Sequence, residues 1–120
     1  MLAANGTTPG FDLPPASSVA LVGIESHICI TQTALDLRAK GHKVYVIADG
    51  VSSCNSAEVV VALDRLRAEQ GVTVTTSESW MYECLGDANH PSFKSLFNVV
   101  KGSMADTKKV LETLPPGSKI

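Results

Sequence analysis

Three short runs along the chain are apolar almost without interruption. Each is followed by a segment whose apolar residues recur every three or four positions. The first run is "VALVGI", Val19 to Ile24. Such continuity predicts a strand buried on both faces, as in a parallel sheet. In the following "ICITQTALDLRAKG", Ile30, Ala34 and Leu37 share one helical face, with Gln32, Asp36 and Arg38 elsewhere. Ser26 is the expected N-cap and Gly41 the expected residue beyond the helix C-terminus. The second run, "KVYVIAD", covers Lys43 to Asp49 and is followed by a predicted loop, "GVSSCNS". Asn55 or Ser56 caps the next helix, "AEVVVALDRLRAEQ", where Val59, Val60, Leu63 and Leu66 recur at helical spacing. Gly71 closes it, and "VTVTTS", Val72 to Ser77, is the third strand. Ser77 then caps "ESWMYECLG", His90-Pro91 opens a helix over "SFKSLFNVVKG", and "ADTKKVLETLPPGSKI" predicts a separate short helix with a Pro-Gly tail.

The order is β-α-β-α-β-α-α. Strands alternating with helices imply right-handed crossovers and a parallel sheet, so the fold class is α/β, a three-layer Rossmann-like arrangement with three strands. Residues 1–17 are rich in Gly, Pro, Thr, Ser and Ala and predict an irregular tail; residues 18–120 form the domain. If each strand lies beside the next, "VALVGI" is at an edge. An apolar edge is a pairing liability. Either another chain covers it or a piece of the natural domain is missing.

Composition changes the picture mainly by exclusion. The chain has 120 residues, 44% hydrophobic and 18% charged, which fits one globular domain and not a disordered segment. With a net charge of -2 and no basic stripe, neither nucleic acid nor an anionic membrane is an expected partner. No apolar run approaches the roughly 20 residues that span a bilayer. The N-terminus lacks the basic and apolar regions of a signal peptide. Three widely spaced cysteines, Cys29, Cys54 and Cys84, fit neither a disulfide framework nor a zinc site, so a reducing compartment, the cytoplasm, is expected. No metal and no cofactor is expected.

Cys29 is the candidate for chemistry. In a parallel α/β sheet, ligands bind beyond the carboxyl ends of strands, near helix N-termini. Counted from Ser26, Cys29 falls at the third helical position, where unpaired N–H groups and the helix dipole favour a thiolate and can stabilise an oxyanion. A buried, inert thiol explains the same residue, since free cysteine is among the most buried types. Cys54, in a polar loop, and Cys84, near a helix end, read as spacers or core. His27, beside the thiol, is a proton donor, a group that orients the junction, or a residue that faces solvent. His42 and His90 read as caps or surface residues. Asp49 either faces the crevice or caps the following loop. Trp80, Met81 and Tyr82 read as core or an oligomer contact.

The junction "VGIESHICITQTALDL" resembles the cysteine segment of the isochorismatase-like hydrolase superfamily: Gly23, Ile24, Glu25, Ser26, His27, Ile28, Cys29, Thr33 and Ala34 match it in order. "VIADGVSS" resembles the family's next strand and loop. "TTSESWMYECLGDANHPSFKSLFNVVKG" is similar to the end of the isochorismatase domain-containing subgroup. The resemblance implies that Cys29 forms a thioester with a small amide or similar substrate. It also implies a cis Ile24–Glu25 peptide and an oxyanion hole made by the backbone N–H groups of Glu25 and Cys29. The family's site further uses an Asp and a Lys, both well before the cysteine. Here Asp12 is the sole acid before Glu25, and Lys40 is the first lysine. Lys40 stands at the far end of the cysteine's own helix, roughly 16 Å away. The resemblance therefore implies the second half of such a domain, the last three strands of an order like 3-2-1-4-5-6. Two functions follow as expectations: a hydrolase domain that is catalytically incomplete, or a truncated form that pairs through its open edge with a second copy or a full-length relative.

Overall fold

Buried apolar alternation on one strand organises the molecule. The computed structural model describes residues 13–114; most of the expected irregular tail, Asp12 included, lies outside the described residues. β1 (Ser18–Ile24), β2 (Lys43–Ser52) and β3 (Val72–Thr75) form a parallel sheet in the order β1-β2-β3. Val44, Val46 and Ala48 of β2 point into the main core; Tyr45 and Ile47 are buried on the other face. α1 (Thr31–Ala39) and α2 (Ser56–Arg67) cover the first face with Ala34, Leu37, Val59, Leu63 and Leu66. α3 (Ser77–Leu85) and α4 (Phe93–Glu112) also pack on β2. Two successive crossovers of one hand in a 1-2-3 order place both of their helices on one face, which leaves the other to α3 and α4. Leu37, Leu63 and Leu66 are the largest fully buried side chains, each worth about 1.5–3 kcal/mol relative to exposure.

The continuous apolar character of "VALVGI" does not correspond to burial on both faces. β1 has a strand neighbour on one side only, and Val22 and Ile24 are 62% and 66% exposed. The edge position expected from strand order is the one observed.

β2 runs three residues past its expected end, through Gly50 to Ser52, because it pairs with β1 twice. Leu21 pairs with Val46, and Gly23 then pairs with Val51, so β2 makes five steps where β1 makes two. The extra residues form a bulge that swings the carboxyl end of β2 away from β3 and back beside β1.

Two helix starts shift, and at a third one of two expected caps is used. Ser26 does not cap; it lies inside a π-helical turn, Ser26–Ile30, that leads into α1, with Glu25 as N-cap residue. Asn55 caps α2, its side chain accepting from the Ala57 N–H at 3.2 Å. Thr76, not Ser77, caps α3 by accepting from the Ser79 N–H. At the end of α1, Gly41 has φ +88° and donates to the Arg38 carbonyl, while His42 N–H donates to that of Leu37. This paired closure is the reason glycine follows the helix. It also buries His42, expected as a cap or a surface residue, whose Nδ1 accepts from the Ser17 N–H at 3.1 Å.

The two helices expected after His90 are one, Phe93–Glu112. Gly102 interrupts neither its backbone nor its inward face of Leu96, Val100, Thr107 and Leu111. A glycine costs a helix only about 1 kcal/mol, less than continuous packing on both sides of it supplies.

Candidate active site

Cys29 sits half-buried in the π-helical turn at the carboxyl end of β1, as the fourth helical residue rather than the third. Single π turns inside helices are rare and recur at functional sites. The turn has no side-chain cap. The Glu25 carbonyl accepts from the N–H groups of both Ile28 and Ile30 at 3.1 Å, and the Thr31 hydroxyl donates to the Ser26 carbonyl at 2.7 Å. The Ile24–Glu25 peptide is cis.

The start of the turn is also held from the end of β2 and the residues just after it. The Ser26 N–H donates to Ser53 Oγ at 3.0 Å, and the Ser26 hydroxyl donates to the Ser52 carbonyl at 2.9 Å. Ser53 Oγ is also 2.9 Å from His27 Nδ1. Glu25 and Glu58 carboxylate oxygens stand 4.0 and 3.9 Å from the two ring nitrogens of His27. His27 therefore joins the junction to the loop after β2 through Ser53 and stands against the first turn of α2 at Glu58.

Cys54 is neither core nor spacer. It is exposed, and both its N–H, at 3.0 Å, and its Sγ, at 3.2 Å, donate to the Glu25 carboxylate. The two N–H and S–H donors hold Glu25 below its ordinary value, with a smaller contribution from His27. The same carboxylate, by accepting the thiol proton and repelling a thiolate, holds Cys54 above its ordinary value. The signs follow. A raised thiol value means that the bond is intact below the ordinary thiol range and is lost as pH rises through the folded value. A lowered carboxylate value means that its contribution is full above the ordinary glutamate range and fades in acid. Cys54 should thus alkylate with a pH midpoint above that of N-acetylcysteine, and Glu25→Gln should bring it back down. Peptide-resolved mass spectrometry between pH 7 and 10 measures this; a midpoint unmoved by Glu25→Gln would show that the contact is not formed in solution.

The structure gathers Glu25, Cys29 and His27 and places Asp49 in the lining of a neighbouring cavity, while the other candidates lie apart. Asp49 accepts from the Ser77 N–H at 2.7 Å and from the Ser77 hydroxyl, so it secures the start of α3. Lys40 is the C-cap residue of α1. Cys84 is exposed on α3, beside Trp80 and Tyr45 in a shallow cavity. Tyr82 packs on Phe93 with ring centroids 5.6 Å apart. A cavity of about 400 Å³ opens next to the junction, lined by Gly23, Ile24, Asp49, Gly50, Ser52 and Val110 among others. No group of three or more metal-ligating side chains occurs among the described residues. Sequence reading missed Ser53 and Cys54. They fall in a stretch that looks like a plain polar loop, and no periodicity marks them.

The fold and junction define a class: a parallel three-layer α/β domain with a half-exposed cysteine in the first helical turn beyond a strand. Comparison with known proteins is more specific. Residues 14–79 match the isochorismatase domain. The chain is 46% identical to isochorismatase domain-containing protein 1 of Salmo salar, over 80% of this chain and 34% of that protein. It is 42% identical to the secreted isochorismatase effector Isc1 of Phytophthora sojae, over 75% and 42% of the two. A solved structure of a hypothetical protein from Trypanosoma cruzi superposes with a TM-score of 0.73 at 34% identity, covering 84% of this chain and 52% of that one. The structure of MAR1 ribonuclease from Caenorhabditis elegans does so at 0.64 and 36%, covering 69% and 43%. The chain belongs to the isochorismatase domain family. It spans about a third to a half of the length of these relatives.

Proposed function

We propose that this chain carries the nucleophile half of a cysteine hydrolase site for a small amide or similar substrate. Cys29 Sγ attacks the carbonyl carbon, and the backbone N–H groups of Glu25 and Cys29 take the developing oxyanion. The C–N bond breaks, the amine leaves with the proton the thiol gave up, carried by solvent water, and a second water hydrolyses the thioester to the acid and the free thiol. The observation that carries this reading is the place of Cys29: half-buried, in a π turn, beyond the carboxyl end of a parallel strand. The Asp and Lys implied by the resemblance have no counterpart at matching positions, so the chain alone lacks the proton transfer that contributes about 10²–10⁴-fold. Turnover by this chain alone is expected to be correspondingly weak. Three free thiols favour the cytoplasm, and among the described residues no helix is long and apolar enough to cross a membrane.

Iodoacetamide labelling read by intact mass and peptide mapping, with Cys29→Ala as the control, tests the reading. Cys84 is the reference thiol, since Glu25 restrains Cys54. At pH 6 Cys29 should label about tenfold faster than Cys84 or more. Equal rates would end the catalytic reading.

A second reading rests on the edge. Val22, Ile24 and Ile28 are 62%, 66% and 47% exposed along and just beyond β1. Strand addition there would give a homodimer or a complex with a full-length relative. Sedimentation at micromolar concentration should show association that Val22→Lys with Ile24→Lys abolishes. A monomer before and after the substitutions would reject the homodimer.

A further inference from the structure

Three consecutive residues, the last of β2 and the two after it, hold three consecutive residues beyond β1. Ser52 takes the Ser26 hydroxyl, Ser53 takes the Ser26 N–H and meets His27, and Cys54 donates twice to Glu25. The π turn has no side-chain cap, so its start is held by these tertiary bonds together with the Thr31 hydroxyl on the Ser26 carbonyl. They differ in what can replace them. Ser26 and Ser53 are buried, 1% and 8% exposed, so water has little access to the Ser26 N–H when the Ser53 oxygen is removed. Cys54 is exposed, so water can stand in for its thiol at Glu25.

We propose that Ser53 is a positioning residue for Cys29, with the Cys54 side chain a weaker partner; this rests on the reading of Cys29 as nucleophile. Ser53 acts through the Ser26 N–H, three residues before the thiol. Loss of its oxygen releases the start of the turn and lets Cys29 and the Glu25 peptide drift together. A displacement of about 1 Å in a reacting group can cost on the order of 10²-fold.

The test compares two substitutions of matched shape, Ser53→Thr and Ser53→Val, with Cys54→Ala alongside, each confirmed as folded by circular dichroism. The readout is the ratio of Cys29 to Cys84 iodoacetamide labelling. Ser53→Val should bring the ratio from about ten towards one, because a thiol that drifts from the N–H donors of the turn loses what speeds its alkylation; Ser53→Thr should retain most of it, and Cys54→Ala should change it less than about threefold. Since Thr and Val differ by the hydroxyl alone, general loosening of the fold does not separate them. If Val does not fold, Ser53→Ala against the unaltered Ser53 isolates the loss of the oxygen instead. A folded Val or Ala variant with an unchanged ratio overturns the positioning role and leaves the nucleophile reading standing. A Cys29 no faster than Cys84 in the unaltered chain overturns the nucleophile reading, and the role with it.

Discussion

Leu63→Ala should lower the stability of the domain by about 2–5 kcal/mol, with a fall in the urea midpoint and an unchanged slope. Leu63 is fully buried on the inner face of α2, in a cluster with Leu37, Val46 and Leu66. Truncation removes its transfer free energy and leaves a cavity between a helix and the central strand. Small domains are stable by only about 5–15 kcal/mol, so a large share would go at once. Val61, two residues earlier, is 64% exposed on the outer face. Val61→Ala should stay within about 0.5 kcal/mol. Urea unfolding of both variants measures the contrast. Equal losses would mean that α2 does not pack on the sheet as described.

Gly50→Ala should cost about 1–3 kcal/mol, for a different reason. A Cβ at Gly50 would stand 2.7 Å from Val22 Cγ1 and 3.3 Å from Ile47 Cγ2. Gly50 lies in the extra residues between the two stretches in which β2 pairs with β1. Val22 is stiff at χ1 and cannot move aside freely. Val22→Ala shortens the obstructing side chain, which is exposed and contributes little to the core, so the double variant should recover much of the loss. Thermal unfolding of the two single variants and the double variant closes the cycle. An additive double variant would show that Gly50 is not needed for closeness to Val22.

The fold class was readable because hydrophobic periodicity reports burial directly. The inner residues Ala34, Leu37, Val59, Leu63 and Leu66 stand where their spacing placed them. Gly41 closes its helix for a local steric reason that any chain would share. Local rules misled where a partner was distant. Ser26 and Ser77 look like caps, but their hydroxyls serve Ser52 and Asp49 on β2, and Glu25 and Thr76 stand at the cap positions. Gly102 looks like a break, yet the packed face of α4 continues across it.

By itself the sequence determined which residues are apolar, at what period, and hence the alternating strands, the helices and the presence of a cysteine at a strand-to-helix junction. These depend on neighbours within a few residues. The tertiary structure alone decided that the cysteine turn is π-helical and that its start is held by Ser52, Ser53 and Cys54, which lie 26 to 29 residues along the chain from their partners. Such bonds carry no period, and their donors and acceptors are common polar residues. They exist because parallel pairing of β1 with the bulged end of β2 brings two loops to one end of the sheet.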